Sequence, residues 1–458
     1  MKLRNCIGGE WRDTRGDAFL DVIDPATEQT VARFPAGSAR DVDDAVAAAV
    51  TAQPAWAALP VAERVGHLHR WADAIAAHAE ELAELEQREM GKPAPLGVTF
   101  IQGAVQGLKG SAAEALDYEF DRTVDGPGGS RTRIVRHPLG VTAVITPWNF
   151  PVPMVLGALG PLLAAGNTVV VKPSERSPLS TVRLFELAGL PAGVVNLVLG
   201  DGRAGAPLTV HDDVKLVHFT GSVESGRKVG AAAGGKLRRA VLELGGKDPV
   251  VVDAGVDPVA TAQAVAFGAF VNSGQICTSM ERVYVHREVA GPFVEALVAA
   301  AAEFPLGPMA DGRQREIVRR HVEDAVRRGA TIRAGGEVPA GPGFFYPATV
   351  LTGVDDSMLV LTEETFGPVA PVVVVDSFAE GLRRASQSRY GLAATVYTRD
   401  EAHIDAAASL PAGVVWVNQW QGGGPERVYE PAGDSGMGAT GATAAYDAAT
   451  RPASIHVA

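Results

Sequence analysis

Apolar positions recur along this chain at two different spacings, and the change falls near residue 140. From Asp41 through Trp56, and again over 61–89, they follow helical intervals. Within the second stretch Leu82 and Leu85 form one stripe, and Glu80, Glu81, Glu84 and Glu86 make an acidic opposite face. Gly91 stands where a left-handed cap ends a helix. The first third is therefore expected to be helical. Beyond it, short β-branched runs take over at 140–146, 168–172, 194–199, 215–220, 241–244 and 250–252, and segments able to form helices, such as 179–187 and 224–233, lie between most of them. Alternation of this kind predicts an α/β protein, a parallel sheet covered by helices on both faces. A second α/β region spans 256–421. It has a helix before Cys277, a strand at 283–285, helices at 292–303 and 314–328, and strands at 371–375, 393–397 and 413–418. The tail, rich in Gly, Ala and Ser, reads as an exchanged arm or a partly disordered segment.

Length and composition add bounds. At 458 residues the chain exceeds one ordinary domain. With 47% hydrophobic and 21% charged residues it can bury a core, which excludes a disordered chain. The net charge is −12, and no basic run interrupts the sequence, so nucleic acid is not an expected partner. The first residues lack the apolar core of a signal peptide. The most membrane-like stretch, 154–171, is broken by Gly157, Gly160, Pro161, Gly166 and Asn167, and reads as a buried helix, a turn and a strand. No membrane partner is expected. Two cysteines, Cys6 and Cys277, are too few for a disulfide framework, and a cytoplasmic protein is expected.

Several motifs fail on context. Gly436-Met437-Gly438-Ala439-Thr440-Gly441 matches a dinucleotide fingerprint on paper, yet no strand leads into it and no βαβ unit follows. The run from Gly230 to Lys236 nearly forms a phosphate-binding loop, but Leu237 stands where a magnesium-holding hydroxyl is needed. There is no G-x-S-x-G elbow, and histidine and cysteine spacing offers no metal site.

Three segments carry chemistry. In Asn272-Ser273-Gly274-Gln275-Ile276-Cys277-Thr278-Ser279-Met280-Glu281-Arg282, small residues surround a single thiol. Alone, that thiol reads equally as a nucleophile or as a buried small hydrophobe. Val241-Leu242-Glu243-Leu244-Gly245-Gly246-Lys247-Asp248-Pro249 ends a strand in a carboxylate that is either a desolvated base or half of a salt bridge. In Pro147-Trp148-Asn149-Phe150-Pro151, the Asn149 amide could hold an oxyanion or simply brace its own turn.

These segments, together with Val171-Lys172-Pro173-Ser174-Glu175, Phe219-Thr220-Gly221-Ser222 with Gly226, and Glu363-Glu364-Thr365-Phe366-Gly367-Pro368-Val369, resemble in their order the NAD(P)-dependent aldehyde dehydrogenase superfamily, over 7–418. The resemblance implies two Rossmann-like α/β domains with parallel sheets and a small oligomerisation arm. It assigns 1–120 and 140–244 to cofactor binding, 245–428 to catalysis, and 121–139 with 440–458 to oligomerisation strands. It makes Cys277 the nucleophile, Asn149 and the Cys277 N–H the oxyanion donors, and Glu243 the base that hydrolyses a thioester. Lys172 and Glu175 would meet the adenosine ribose, Ser222 the pyrophosphate, and Glu364 with Phe366 the nicotinamide ribose. Ile145, Thr146, Pro147, Trp148, Ser174, Thr220, Gly221, Gly226, Leu244 and Gly245 would complete the cofactor cleft. Phe150, Met154, Gly157 and Thr278 would line the substrate funnel. NAD is the expected cofactor, with NADP the alternative, because the Glu175 charge repels a 2′-phosphate. A small aldehyde is the expected substrate, no metal is expected, and the assembly implied is a homodimer or homotetramer. Branches that acylate coenzyme A generally lack the Glu243 equivalent, so the free acid is the expected product; a coenzyme A-acylating or reductive member, and a non-catalytic NAD-binding protein, are the alternatives.

The sequence departs from that family at three places. Ser279-Met280-Glu281-Arg282 replaces a commoner Gly-Ser-Arg, Gly157 replaces a bulkier side chain, and Glu430-Pro431-Ala432-Gly433-Asp434-Ser435 replaces the usual Pro-Phe-Gly-Gly pattern.

Overall fold

The computed structural model describes residues 2–424 and 426–457. Met1, Pro425 and Ala458, which fall in the segments 1–120, 245–428 and 440–458 above, lie outside the described residues.

Two sheets organise the chain. In the first, the strands Val195–Leu197, Thr168–Lys172, Val141–Ile145, Val214–Thr220 and Arg239–Glu243 run parallel in that spatial order. The three strands Val141–Ile145, Thr168–Lys172 and Val195–Leu197 are buried throughout, as expected where helices cover both faces. In the second, Thr349–Thr352, Val369–Val375, Met280–His286, Asp248–Val252, Ala393–Tyr397 and Val414–Val417 are parallel, with Thr331–Ala334 antiparallel at one edge. A third, three-stranded sheet joins Asp121–Asp125, Arg131–Pro138 and Thr450–Val457.

The chain crosses from the first sheet to the second in four residues. Glu243 ends the last parallel strand of one, and Asp248 begins a central strand of the other. The carboxyl end of one strand therefore lies close to the amino end of the other, with the junction 244–247 between them.

Most expected elements are present. The stretch 154–171 is the buried helix Pro151–Ala164, a turn at Gly166, and the strand Thr168–Lys172. Gly91 caps its helix at φ 85°. Two expectations need correction. The segment 61–89 is two helices, Val61–Ala77 and Ala79–Met90, because His78 adopts ψ 19° and breaks the run. The apolar spacing continues across the break because Leu68, Ile75, Ala79 and Leu82 enter one core. The first third is also not purely helical. The short strands Asn5–Ile7, Glu10–Arg12, Phe19–Ile23 and Thr30–Pro35 precede the first helix, and Asn5–Ile7 extends the first sheet beside Leu197. Runs of three to six residues, mostly half-exposed, leave little periodic signal.

The tail is ordered and divides at Thr450. The helix Ala442–Ala449 buries Tyr446 in the first core, and only Thr450–Val457 joins the three-stranded sheet. The glycine-rich segment set aside above adds the antiparallel strand Gly436–Met437 to the first sheet, opposite Leu242 and Glu243. A Cβ at Gly436 would lie 1.8 Å from the Leu242 carbonyl oxygen, so glycine there serves strand contact, not phosphate binding.

Candidate active site

Cys277 lies in a loop that three successive left-handed residues set up. Asn272, Ser273 and Gly274 have φ of 54°, 56° and 67°, and two of them carry side chains. Such conformations persist only where the surroundings over-determine them. Here Asn272 Nδ2 donates to the Gln275 carbonyl at 3.2 Å, and Ser273 Oγ donates to the Gly307 carbonyl at 2.7 Å. A Cβ at Gly274 would sit 2.2 Å from the Gly367 oxygen, so this loop packs directly on the 363–369 loop.

Asn149 is buried beside the thiol loop, and its Nδ2 donates to the Gln275 carbonyl at 3.0 Å. An amide carries two N–H groups, which leaves one for a developing oxyanion. The segment is held from below. Glu86, fully buried and paired with Lys92 at 2.7 Å, accepts the Val152 N–H at the start of the Pro151–Ala164 helix. Lys92 also lies 4.2 Å from the Phe150 ring centroid.

Glu243 ends its strand, as expected. Burial pushes its carboxyl up to about 8, and the Thr440 hydroxyl, donating to Oε1 at 3.2 Å, works against that rise. Burial raises the Cys277 thiol as well, reinforced by Asp248, Glu243 and Glu364. Glu364, held by the Gly246 N–H at 3.0 Å, is pushed up to about 8 by burial and then by Glu281.

The predicted cofactor residues collect along the carboxyl edge of the first sheet. Ile145 is in register with Lys172 and with Phe219, and Thr220 with Glu243. Lys172 Nζ donates to the Pro173 and Gly200 carbonyls at 2.6 and 2.8 Å and lies 4.0 Å from Glu175. Ser174 is buried in the same turn. Ser222 caps the helix Val223–Gly235, whose start follows Thr220 and Gly221 directly. A Cβ at Gly226 would meet Leu244 at 2.2 Å, so glycine lets that helix approach the sheet. Likewise a Cβ at Gly245 would meet Glu364 at 2.3 Å. Pro147 and Trp148 continue the edge, and the Trp148 ring meets Phe366 edge-on at 5.4 Å. A dinucleotide suits these residues: a helix start awaits anionic oxygens, and the Thr146 hydroxyl is buried at this edge with no partner among the described residues.

On the other side of the thiol, Phe150, Val271 and Ile276 form an apolar cluster with Leu96, Phe100, Met154, Phe304 and Trp420. Trp420 Nε1 and Gln421 Nε2 donate to the Thr278 carbonyl and hydroxyl, each at 3.0 Å. Gly157, on the same helix as Met154, has open space where a side chain would stand.

Two residues here were not anticipated from sequence. Thr440 lies within the discarded glycine motif, and Tyr429 pairs with it backbone to backbone at 2.9 and 2.7 Å. Burial, with Cys277 and Glu243 nearby, raises the Tyr429 phenol. The altered 430–435 segment was the only available hint.

A family model for the aldehyde dehydrogenase family matches residues 11–455. The chain is 37% identical to phenylacetaldehyde dehydrogenase of Pseudomonas fluorescens, over 99% of this chain and 95% of that one. It is 36% identical to lactaldehyde dehydrogenase of Escherichia coli (strain K12), over 90% of each. Among solved structures, indole-3-acetaldehyde dehydrogenase complexed with NAD+ superposes with a TM-score of 0.95 at 34% identity, covering 100% of this chain and 96% of that one. The chain belongs to the aldehyde dehydrogenase family. It is an oxidoreductase acting on aldehydes, and its fold is that of the family.

Proposed function

We propose that the protein oxidises an aldehyde with an apolar, preferably aromatic, body to the free acid, through a thioester on Cys277 that Glu243 hydrolyses. The observation that carries this reading is the buried Glu243 carboxyl, held at about 8 beside the thiol. A carboxyl at that value is partly ionised near neutral pH, and its ionised form is a stronger base toward water than an exposed carboxylate.

Cys277 gives up its thiol proton to water and attacks the aldehyde carbon through sulfur, and the free Asn149 N–H with the Cys277 backbone N–H hold the oxyanion. Collapse of that adduct releases a hydride, for which bound NAD+ would supply the acceptor. Glu243 then takes a proton from the water that attacks the thioester, and Cys277 leaves as the thiolate. Lys172, Ser174 and Glu175 would hold the adenosine ribose, and the Glu175 charge favours NAD over NADP. Thr220, Gly221, Ser222 and Gly226 would admit the pyrophosphate to the helix start. Ile145, Thr146, Pro147, Trp148, Leu244 and Gly245 would frame the cleft, and Glu364 with Phe366 would hold the nicotinamide ribose.

The substrate class is supported by the aromatic cluster beside Cys277. The names of the relatives acting on phenylacetaldehyde and indole-3-acetaldehyde agree with this choice. We further propose domains at 1–120 with 140–244 for the cofactor and 245–428 for catalysis, and a homodimer or homotetramer built through the three-stranded sheet. That sheet exposes about half of Val124, Ile455 and Val457. A cytoplasmic location agrees with two unpaired thiols. The test is a panel of aromatic, aliphatic, hydroxy- and carboxy-aldehydes with NAD+ and NADP+, without coenzyme A. Aromatic aldehydes with NAD+ should give the highest kcat/KM; preference for a carboxy-aldehyde would refute the substrate class. Sedimentation as a monomer would refute the assembly.

A further inference from the structure

The Met280-Glu281 departure takes no part in the chemistry above. Glu281 is the second residue of the strand Met280–His286 and is 2% exposed. Its carboxylate lies 2.5 Å from Lys247 Nζ, and neither side chain reaches solvent appreciably. A buried ion pair offsets its desolvation only when its remaining hydrogen-bonding capacity is filled. Here the filling comes from one loop. The Thr365 N–H donates to Oε2 and the Phe366 N–H to Oε1, both at 2.8 Å, while Lys247 Nζ also donates to Thr365 Oγ1 at 2.9 Å. One carboxylate thus gathers two successive amides.

The backbone held this way is strained, since Phe366 has φ 50° with a bulky side chain. Other groups brace it from behind. Gln314 Nε2 donates to the Thr365 and Phe366 carbonyls at 3.1 Å each, and His321 Nδ1 lies 3.1 Å from Thr365 Oγ1. Glu364, one residue earlier, accepts the Gly246 N–H, and Gly246 directly precedes Lys247. The Lys247–Glu281 pair therefore anchors both partners of the Gly246–Glu364 contact.

We propose that Glu281 is a positioning residue of the cofactor site: paired with Lys247, it clasps the Thr365 and Phe366 amides and so sets Glu364 and Phe366 toward the nicotinamide end of the dinucleotide. The inference rests on the assignment of Glu364 and Phe366 to that end. It predicts that disturbing Glu281 weakens one half of the cofactor site and leaves the other half intact. A residue that merely neutralised Lys247 would affect both halves through stability alone.

The experiment is calorimetric titration of the full-length protein with NAD+ and with AMP, which reaches only the adenosine end. Glu281→Gln keeps the shape but leaves one loop amide without its carboxylate oxygen. It should weaken NAD+ binding about ten-fold, the loss typical of one charge-assisted hydrogen bond, while AMP binding stays within about two-fold. Equal weakening of both ligands, or no change in either, would overturn the proposal. Should Glu281→Gln fail to fold, Thr365→Val removes only the hydroxyl that meets Lys247 and His321. It should weaken NAD+ relative to AMP in the same direction, and an unchanged ratio would overturn the clasp. Wild-type protein binding neither ligand would instead sink the cofactor assignment on which the clasp depends.

Discussion

Replacing Thr440 with valine removes one hydroxyl from Glu243 and should shift the pH at which the enzyme turns over. The Thr440 hydroxyl donates to Glu243 Oε1 at 3.2 Å and is what lowers a carboxyl otherwise raised by burial. A donor stabilises the ionised form, so its loss raises the pKa above about 8. A hydrogen bond to a charged group contributes about 1.5–3 kcal/mol, and this one is long, so about 1.4 kcal/mol, or about one pKa unit, is the reasonable loss. At about pH 7.5 the ionised fraction then falls from about one quarter to about 3%, and kcat falls about eight-fold where hydrolysis limits turnover. Near about pH 10 both forms are largely ionised and the difference closes. The assay is kcat across this range by NADH absorbance, with stopped-flow resolution of the first turnover. The burst of NADH should survive in the variant while the steady rate falls. An ascending limb that stays in place, or moves to lower pH, would refute the role of Thr440 and the sign argued here.

Three further outcomes follow from the geometry. Asn149→Ala should lower kcat about 10²–10³-fold with little change in NAD+ affinity, because it removes an oxyanion donor; a loss below about ten-fold would count against that role. Gly157→Phe fills space that is open in the structure, so kcat/KM for bulky aromatic aldehydes should fall while the melting temperature holds within a few degrees. Gly245→Ala brings a Cβ to 2.3 Å from the Glu364 carboxylate and should weaken NAD+ binding measured by titration, with AMP binding retained.

Buried strands were legible residue for residue at Thr168–Lys172 and Ala393–Tyr397. Their apolar runs are long enough to outweigh local alternatives. The N-terminal strands escaped notice because short half-exposed runs carry no clear period. Cys277, Asn149 and Glu243 stood out as chemistry-bearing types, yet each had an equally good structural use, and only their ordered motifs resolved the choice. Thr440 was invisible for a different reason. Its contact with Glu243 depends on the antiparallel pairing of Gly436 with Glu243, a register that local pattern does not encode. Glu281 was visible as an oddity, but its partners Lys247 and Thr365 are 34 and 84 residues away.

The central claim is that a thioester forms on Cys277 and that Glu243 removes it. Intact-protein and peptide mass spectrometry of Glu243→Gln, mixed with NAD+ and an aromatic aldehyde, tests it most directly. The account predicts a near-stoichiometric burst of NADH and a mass gain equal to the acyl group on the peptide containing Cys277. A burst without the adduct, an adduct on another residue, or full turnover by Cys277→Ala would contradict it.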